Sequence, residues 1–273
     1  MKTSRIYTAN DIVELNNAAI LKMRQRDHAT ANLLLHEALE NLKDILESSS
    51  SSSSSSSVSD SDSSCSQAPR KRPRTSLDQQ NSCWMEQDKT ATVPVLLNKK
   101  VGILFSVRTM DQEGMYDESS VPTDNILTFY DRALVFLNYE DIDFTTAENR
   151  SSLSAMLLYN LAVSHHSCGI RQGCTNELDK ALRFYRLAHC VLEKVKDVVG
   201  LEVHMLILMG LLNNMGHIHA NCFNMEQISR CIEWLQRAIT SRHSGVLEDV
   251  DYEFFYTHLK VIPVDHLKFA PAA

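Results

Sequence analysis

Apolar positions recur at helical spacing in two blocks of this chain, separated by a stretch with no period at all. Leu34, Leu35, Ala38, Leu39, Leu42 and Ile45 step by threes and fours and form one clean stripe. Leu15, Ala18, Ala19 and Leu21 to Met23 show a looser form of the same spacing. The pattern predicts two helices, Asp11–Met23 and Ala29–Leu46, joined by a polar turn at Arg26-Asp27-His28.

In the second block, Thr92–Val107 is rich in β-branched and aromatic residues, and Pro94 and Gly102 oppose a long helix, so one or two short strands are allowed there. Thr123 caps a predicted helix over Ile126–Leu137, and Thr145-Thr146-Ala147-Glu148 reads as a capping box for the helix carrying Leu153 to Ser167. Further helices are predicted over Asn176–Val195, Val203–Asn221 and Met225–Thr240, with Asn224 and Gln227 as cap and partner of the last. The tail from Tyr252 (YEFFYTHLKVIPV) has strand-like composition, and a minor pairing of 103–107 with 252–259 is expected.

Ten serines, Ser48 to Ser57, begin the unpatterned stretch, and no apolar period returns until about Trp84. Such a composition cannot offset the entropy of ordering it. The expected organisation is therefore an N-terminal helical hairpin (1–47), a disordered Ser-rich and basic linker (48–92) and a C-terminal helical domain (93–273).

The 44% hydrophobic content of the 273 residues is enough for a sizeable core, and the net charge of −7 gives no overall pull toward nucleic acid or anionic membrane. MKTSRIYTANDIVEL lacks the apolar run of a signal peptide, and the longest apolar block, Met205 to Leu212, is far short of the roughly 20 residues of a membrane span. Seven cysteines without a C-x-x-C read as free thiols in a reducing compartment, so an intracellular location, nuclear or cytoplasmic, is expected.

Self-similarity changes the picture most. LNNAA from Leu15, LYNLA from Leu158 and LNNMG from Leu212 align without gaps, each with Leu first, Asn third and a small residue fifth. In the helix after each come Ala31, Leu35 and Ala38; Ala181, Tyr185 and Ala188; and Ile228, Ile232 and Leu235, always spaced four then three. A mid-helix glycine costs roughly 1 kcal/mol relative to alanine, so Gly216 reads as a close-packing position equivalent to Ala19 and Ala162.

These residues resemble the tetratricopeptide (TPR) repeat family, over roughly 10–46 and 124–242. The resemblance implies an all-α fold of irregular TPR-like hairpins stacked as a short solenoid. Leu158 to Leu212 spans 54 residues where the family has about 34, and the turn CGIRQGCTNELD reads as about seven residues too long. FYDRALVFL, with Tyr130, Ala133 and Leu134, reads as the second helix of a further unit.

By the same resemblance, the first helix of each unit lines a concave groove for an extended peptide or a helix. The groove-facing residues are then Tyr159, Asn160, Val163, His166, Asn213, Asn214, His217 and Ala220. Asparagine suits such a surface, since its amide both donates to and accepts from a peptide backbone. A clamp for a terminal carboxylate is disfavoured, because Asn16, Gly210 and Asn214 stand where that TPR subclass needs basic residues.

The histidines raise the question of a metal. His165 and His219 fall at inter-helix packing slots and His166 and His217 on the groove face. The H-x-H of His217 and His219 points its side chains roughly 200° apart on a helix, poor geometry for one ion. No metal or cofactor is expected. No phosphate loop, G-x-S-x-G, H-E-x-x-H or kinase signature is present, and His189-Cys190 reads as core filling rather than a catalytic pair.

In the linker, Arg70, Lys71, Arg72 and Arg74 resemble a short nuclear-import signal, and Ser57 and Ser59, each with an acidic residue three positions on, suit acidic-directed phosphorylation. The expected function is a non-enzymatic adaptor or scaffold that binds another protein. The alternatives are a nucleic-acid-associated regulator using the basic linker, for which four clustered cations without interleaved aromatics make a thin footprint, and an enzyme with an unrecognised site.

Overall fold

The structure is a computed structural model that describes residues 8–50, 106–110, 127–137, 146–194, 201–240, 253–257 and 259. Its helices are α1 (Ala9–Arg24), α2 (His28–Ser50), α3 (Ala147–Gln172), α4 (Thr175–Glu193), α5 (Leu201–Asn221) and α6 (Met225–Thr240). Two short strands, β1 (Ser106–Met110) and β2 (Ala133–Leu137), fall between α2 and α3. The described residues are mostly helical, in keeping with an all-α class, and none of their helices is long and apolar enough to cross a membrane.

Local chemistry sets the helix ends. Thr8 Oγ1 accepts from the Asp11 N–H at 3.3 Å while Asp11 Oδ2 accepts from the Thr8 N–H at 2.6 Å, a reciprocal capping box at the start of α1. Asp27 Oδ1 caps α2 by accepting from the Thr30 N–H at 3.1 Å. The cap of α3 is Thr146, whose hydroxyl accepts from the Asn149 N–H at 3.3 Å, one residue beyond the box expected at Thr145 and Glu148. Asn224 caps α6 through the Gln227 N–H at 3.3 Å.

The long insertion expected in the α3–α4 turn goes elsewhere. Gly173 takes the left-handed conformation at φ 61° and ends α3, and α4 resumes at Thr175, so the extra residues lengthen the helices and the turn stays tight.

Each helix packs on the next, from α1 on α2 through α5 on α6, and α1, α3 and α5 also touch in sequence order. The N-terminal hairpin belongs to the same compact unit as α3 to α6. Ala19, Ala162, Ala31, Ala38, Ala181, Tyr185 and Ala188 are all fully buried, as are Leu35, Ile228 and Leu235. The small-residue slot and the three positions spaced four then three are thus core positions in all three pairs, whereas the leading Leu15 and Leu158 are half-buried.

Two expectations are overturned. Residues 127–137 are extended, and their last five form β2; they are not a helix over 126–137, nor is FYDRALVFL the second helix of a further unit. The backbone groups that a helix would satisfy internally are taken instead by β1 on one edge and by asparagines on the other. The partner of β1 is β2, antiparallel, with Thr109 opposite Leu134 and Val107 opposite Phe136. The tail does not supply that partner, because residues 253–257 are helical and lay Phe254 and Phe255 against Tyr130, with ring centroids 5.0 and 4.6 Å away. The linker beyond Ser50, with Ser57, Ser59, Arg70, Lys71, Arg72 and Arg74, lies outside the described residues.

Candidate functional site

The third position of each repeated signature is an asparagine: Asn17 on α1, Asn160 on α3 and Asn214 on α5. Each makes the same double contact with the backbone of the extended segment. Asn214 Oδ1 accepts from the Tyr130 N–H at 2.8 Å, and its Nδ2 donates to the Tyr130 carbonyl at 2.9 Å. Asn160 does so with Leu134, at 2.9 Å for both bonds, and Asn17 with Phe136, at 3.1 Å for both.

The second position of each signature reaches the carbonyl two residues earlier. Asn213 donates to Thr128 at 2.7 Å, the Tyr159 hydroxyl to Arg132 at 3.0 Å and Asn16 to Leu134 at 3.1 Å. Every contact therefore falls on an even-numbered residue from 128 to 136. In an extended chain alternate residues turn their N–H and C=O to the same edge, so one edge of the segment faces the helices and the other is left for β1. The segment runs from the third helix pair back to the first.

The amides are also tied to one another. Asn160 Nδ2 donates to Asn16 Oδ1 at 2.8 Å, Asn16 Nδ2 to Asn17 Oδ1 at 3.2 Å and Asn213 Nδ2 to Asn214 Oδ1 at 3.2 Å. Asn16, Asn160, Asn213 and Asn214 have no exposed surface. In that dry setting an amide without its partner is costly, so each rung fixes both the orientation of its neighbours and the register of the segment.

Side chains of the segment fill the space around the rungs. Leu127 packs with Ile228 and Ile232 over Gly216; a Cβ at 216 would overlap Leu127 Cδ1. Gly216 is thus a close-packing position, as its sequence context predicts, and the group it admits is the segment's own leucine. Phe129 lies on His166, with ring centroids 4.0 Å apart, and Tyr130, Ala133, Leu134 and Phe136 are buried as well.

Beneath Phe129 runs a hydrogen-bonded chain. Asn214 Nδ2 donates to the Tyr185 hydroxyl at 3.0 Å, that hydroxyl lies 3.3 Å from His166 Nδ1, and His166 Nε2 lies 3.1 Å from His217 Nδ1. One orientation satisfies every member: Tyr185 donates to His166 Nδ1, and His166 donates from Nε2 to His217. Both imidazoles are then neutral. Burial, and after it the neighbouring His217, holds His166 well below the ordinary histidine range, and burial alone brings His217 down to about 4. His219, at a packing slot, is lowered to about 4 by burial and then by Arg186.

His165 stacks on Phe184 at 5.5 Å and lies 2.6 Å from Glu177 Oε2, yet burial outweighs that carboxylate and lowers its pKa. At the hairpin junction, Arg171 Nη1 donates to His28 Nε2 at 3.2 Å, which leaves Nδ1 to donate to Ser164 Oγ at 3.3 Å, and burial followed by Arg171 takes His28 down to about 4. These histidines are buried between helices, His165 within the α3–α4 pair and His28, His166 and His217 between neighbouring pairs. Among the described residues no group of three or more His, Cys, Asp or Glu could hold a metal ion.

Seven of the eight residues predicted to line a groove are brought together here around the chain's own residues 127–137. Tyr159, Asn160, Asn213 and Asn214 bind the segment, His166 and His217 support Phe129, Val163 is buried and Ala220 packs beside Leu127. Sequence reasoning left out Asn16 and Asn17, although LNNAA places them in the same two slots as Tyr159 and Asn160. No protein-family model, no curated protein and no solved structure matches this chain.

Proposed function

We propose that the chain is a non-enzymatic protein-interaction scaffold of TPR-like build, whose channel grips extended polypeptide through its backbone. The observation that carries the reading is the triplicate double contact of Asn17, Asn160 and Asn214 with Phe136, Leu134 and Tyr130 along one edge of an extended segment. Side-chain amides that match the N–H and C=O of one residue address what every polypeptide has, and their placement at residues 130, 134 and 136 along one edge sets a direction and a register. The ordered packing of α1 to α6, with the aligned small residues buried, favours the TPR-like description of the scaffold. An enzymatic reading gains nothing from the channel, where the titratable groups are buried, neutral imidazoles bonded to one another.

The test vacates the channel by replacing residues 127–137 with a Gly/Ser stretch of equal length and offering a labelled peptide with the native 127–137 sequence. Saturable binding is expected, reduced at least about tenfold by Asn160→Ala or Asn214→Ala, the effect of losing about 1.4 kcal/mol. It should vary little between low and moderate salt. A helical protein that ignores the peptide would refute the reading.

A further inference from the structure

We propose that residues 127–137 are an exchangeable internal ligand, and that the protein's partner supplies an extended apolar segment which takes their place. This rests on the channel being a polypeptide receptor, and it adds the chemistry of the partner and the resting state of the site.

The ladder's amides are bonded to one another as well as to the segment they hold. Asn160 bonds to Asn16, Asn16 to Asn17, Asn213 to Asn214 and Asn214 to Tyr185, so the amides are oriented by contacts among α1, α3, α4 and α5 as well as by the segment. A strand built permanently into a sheet is commonly paired by other strands on both edges. Here one edge is bonded by side chains from three helices, and each of these contacts is to a group that any other extended chain would present equally well.

What discriminates one occupant from another is therefore the set of side-chain seats. Leu127 enters the space that Gly216 leaves, against Ile228 and Ile232. Two residues on, Phe129 rests on the neutral His166–His217 pair, and Tyr130 meets Phe254 and Phe255. Ala133 and Leu134 have no exposed surface, whereas Thr128 is exposed and Asp131 and Arg132 are half-buried. An incoming segment must return the same burial or leave empty seats. The partner chemistry is thus a strand with an aliphatic residue, an aromatic pair beginning two positions later, two polar residues, then a small residue and an aliphatic one, entering with the direction of 127–137. A charged residue at the Leu127 or Phe129 position is disfavoured, because Leu127 is packed on Ile228 and Ile232 and Phe129 on the buried His166 ring.

If the internal strand occupies the channel most of the time, apparent affinity for a competing strand falls by the fraction of open molecules. The experiment uses the full chain and a labelled synthetic peptide with the 126–138 sequence, read by fluorescence anisotropy. The parent should take the peptide up slowly and weakly. Leu127→Ala, which weakens the internal strand and leaves the ladder intact, should raise affinity at least about tenfold, and Phe129→Ala should act in the same direction. Asn160→Ala added to either should remove the gain. If the chain with a Gly/Ser stretch at 127–137 binds the peptide but Leu127→Ala and Phe129→Ala bind it no better than the parent, the segment is a fixed part of the fold and the exchange proposal is overturned. If that replaced chain, still helical, also fails to bind, the receptor reading falls, and this proposal with it.

Discussion

A single added methyl group at position 216 separates two opposing effects. In an ordinary helix Gly→Ala stabilises by roughly 1 kcal/mol, because alanine loses less backbone entropy on folding. At Gly216 the new Cβ would overlap Leu127 Cδ1 and lie 3.3 Å from Cys231 Cβ. Leu127 has no exposed surface and is enclosed by Ile228 and Ile232, with Ala220, Met225 and Leu259 around them, so its methyl cannot swing aside freely. Overpacking of this kind costs about 1–3 kcal/mol, and Gly216→Ala should therefore be neutral to destabilising by about 2 kcal/mol. Gly216→Leu should be worse, since it also forces a long side chain into the seat.

The sign should change when the obstacle is removed. Leu127→Ala alone should cost about 2–5 kcal/mol through lost burial and the cavity it leaves. In that background the Cβ at 216 meets open space and Gly216→Ala should stabilise by up to about 1 kcal/mol, giving a coupling of about 1–3 kcal/mol. Urea unfolding followed by circular dichroism, with m-values equal across the four proteins, measures it. Equal effects of Gly216→Ala in both backgrounds would refute the placement of Leu127 over α5.

Asn160→Ala removes the acceptor of the Leu134 N–H and a donor to its carbonyl, and the buried orphan should cost about 2–4 kcal/mol by urea unfolding. Asn160→Asp should cost more near neutral pH, because a carboxylate oxygen would then face the Leu134 carbonyl and Asn16 Oδ1. Burial depresses His28, His166, His217 and His219, so the unfolded chain binds more protons than the folded one below its histidine pKa of about 6.5; stability should be full above that pH and fall toward about 4, by roughly 1.4 kcal/mol per pH unit for each group. Acid titration of the helical signal checks this, and a flat profile from pH 7 to pH 4.5 would contradict it. A reporter fused to residues 48–92 should shift from nucleus toward cytoplasm when Lys71 and Arg72 become Ala, and an identical distribution would end the import reading.

Much of the helical scaffold was legible from spacing, because α2, α4 and α6 each bury one stripe and present mostly polar residues opposite, with Leu33, Leu187 and Trp234 exposed among them. The extended segment was not. In FYDRALVFL, Tyr130, Ala133 and Leu134 are three and one apart, as on a helix face, and a strand buried on both faces shows no alternation to correct that impression. The signal that could have exposed it lay elsewhere in the chain. Asparagines aligned at one slot of three buried helices need backbone partners, and a short apolar run between the first and second pairs was the available source. The aromatic tail YEFFY carries strand propensity, yet packing against Tyr130 favoured a helical turn, a tertiary contact that composition does not contain. The candidate channel was read from the same alignment, which supplied its lining while giving no indication that the chain fills it.

The claim at the centre of this account is that asparagines on three helices, with Tyr159 at Arg132, hold the backbone of alternate residues from 128 to 136. Amide hydrogen exchange measured residue by residue tests it most directly. Tyr130, Leu134 and Phe136 should be protected in the parent, and Asn160→Ala should speed exchange at Leu134 by about tenfold or more beyond any change in the α3 and α5 helix amides. Rapid exchange of those three amides in the parent, or a Leu134 rate indifferent to the substitution, would contradict the account.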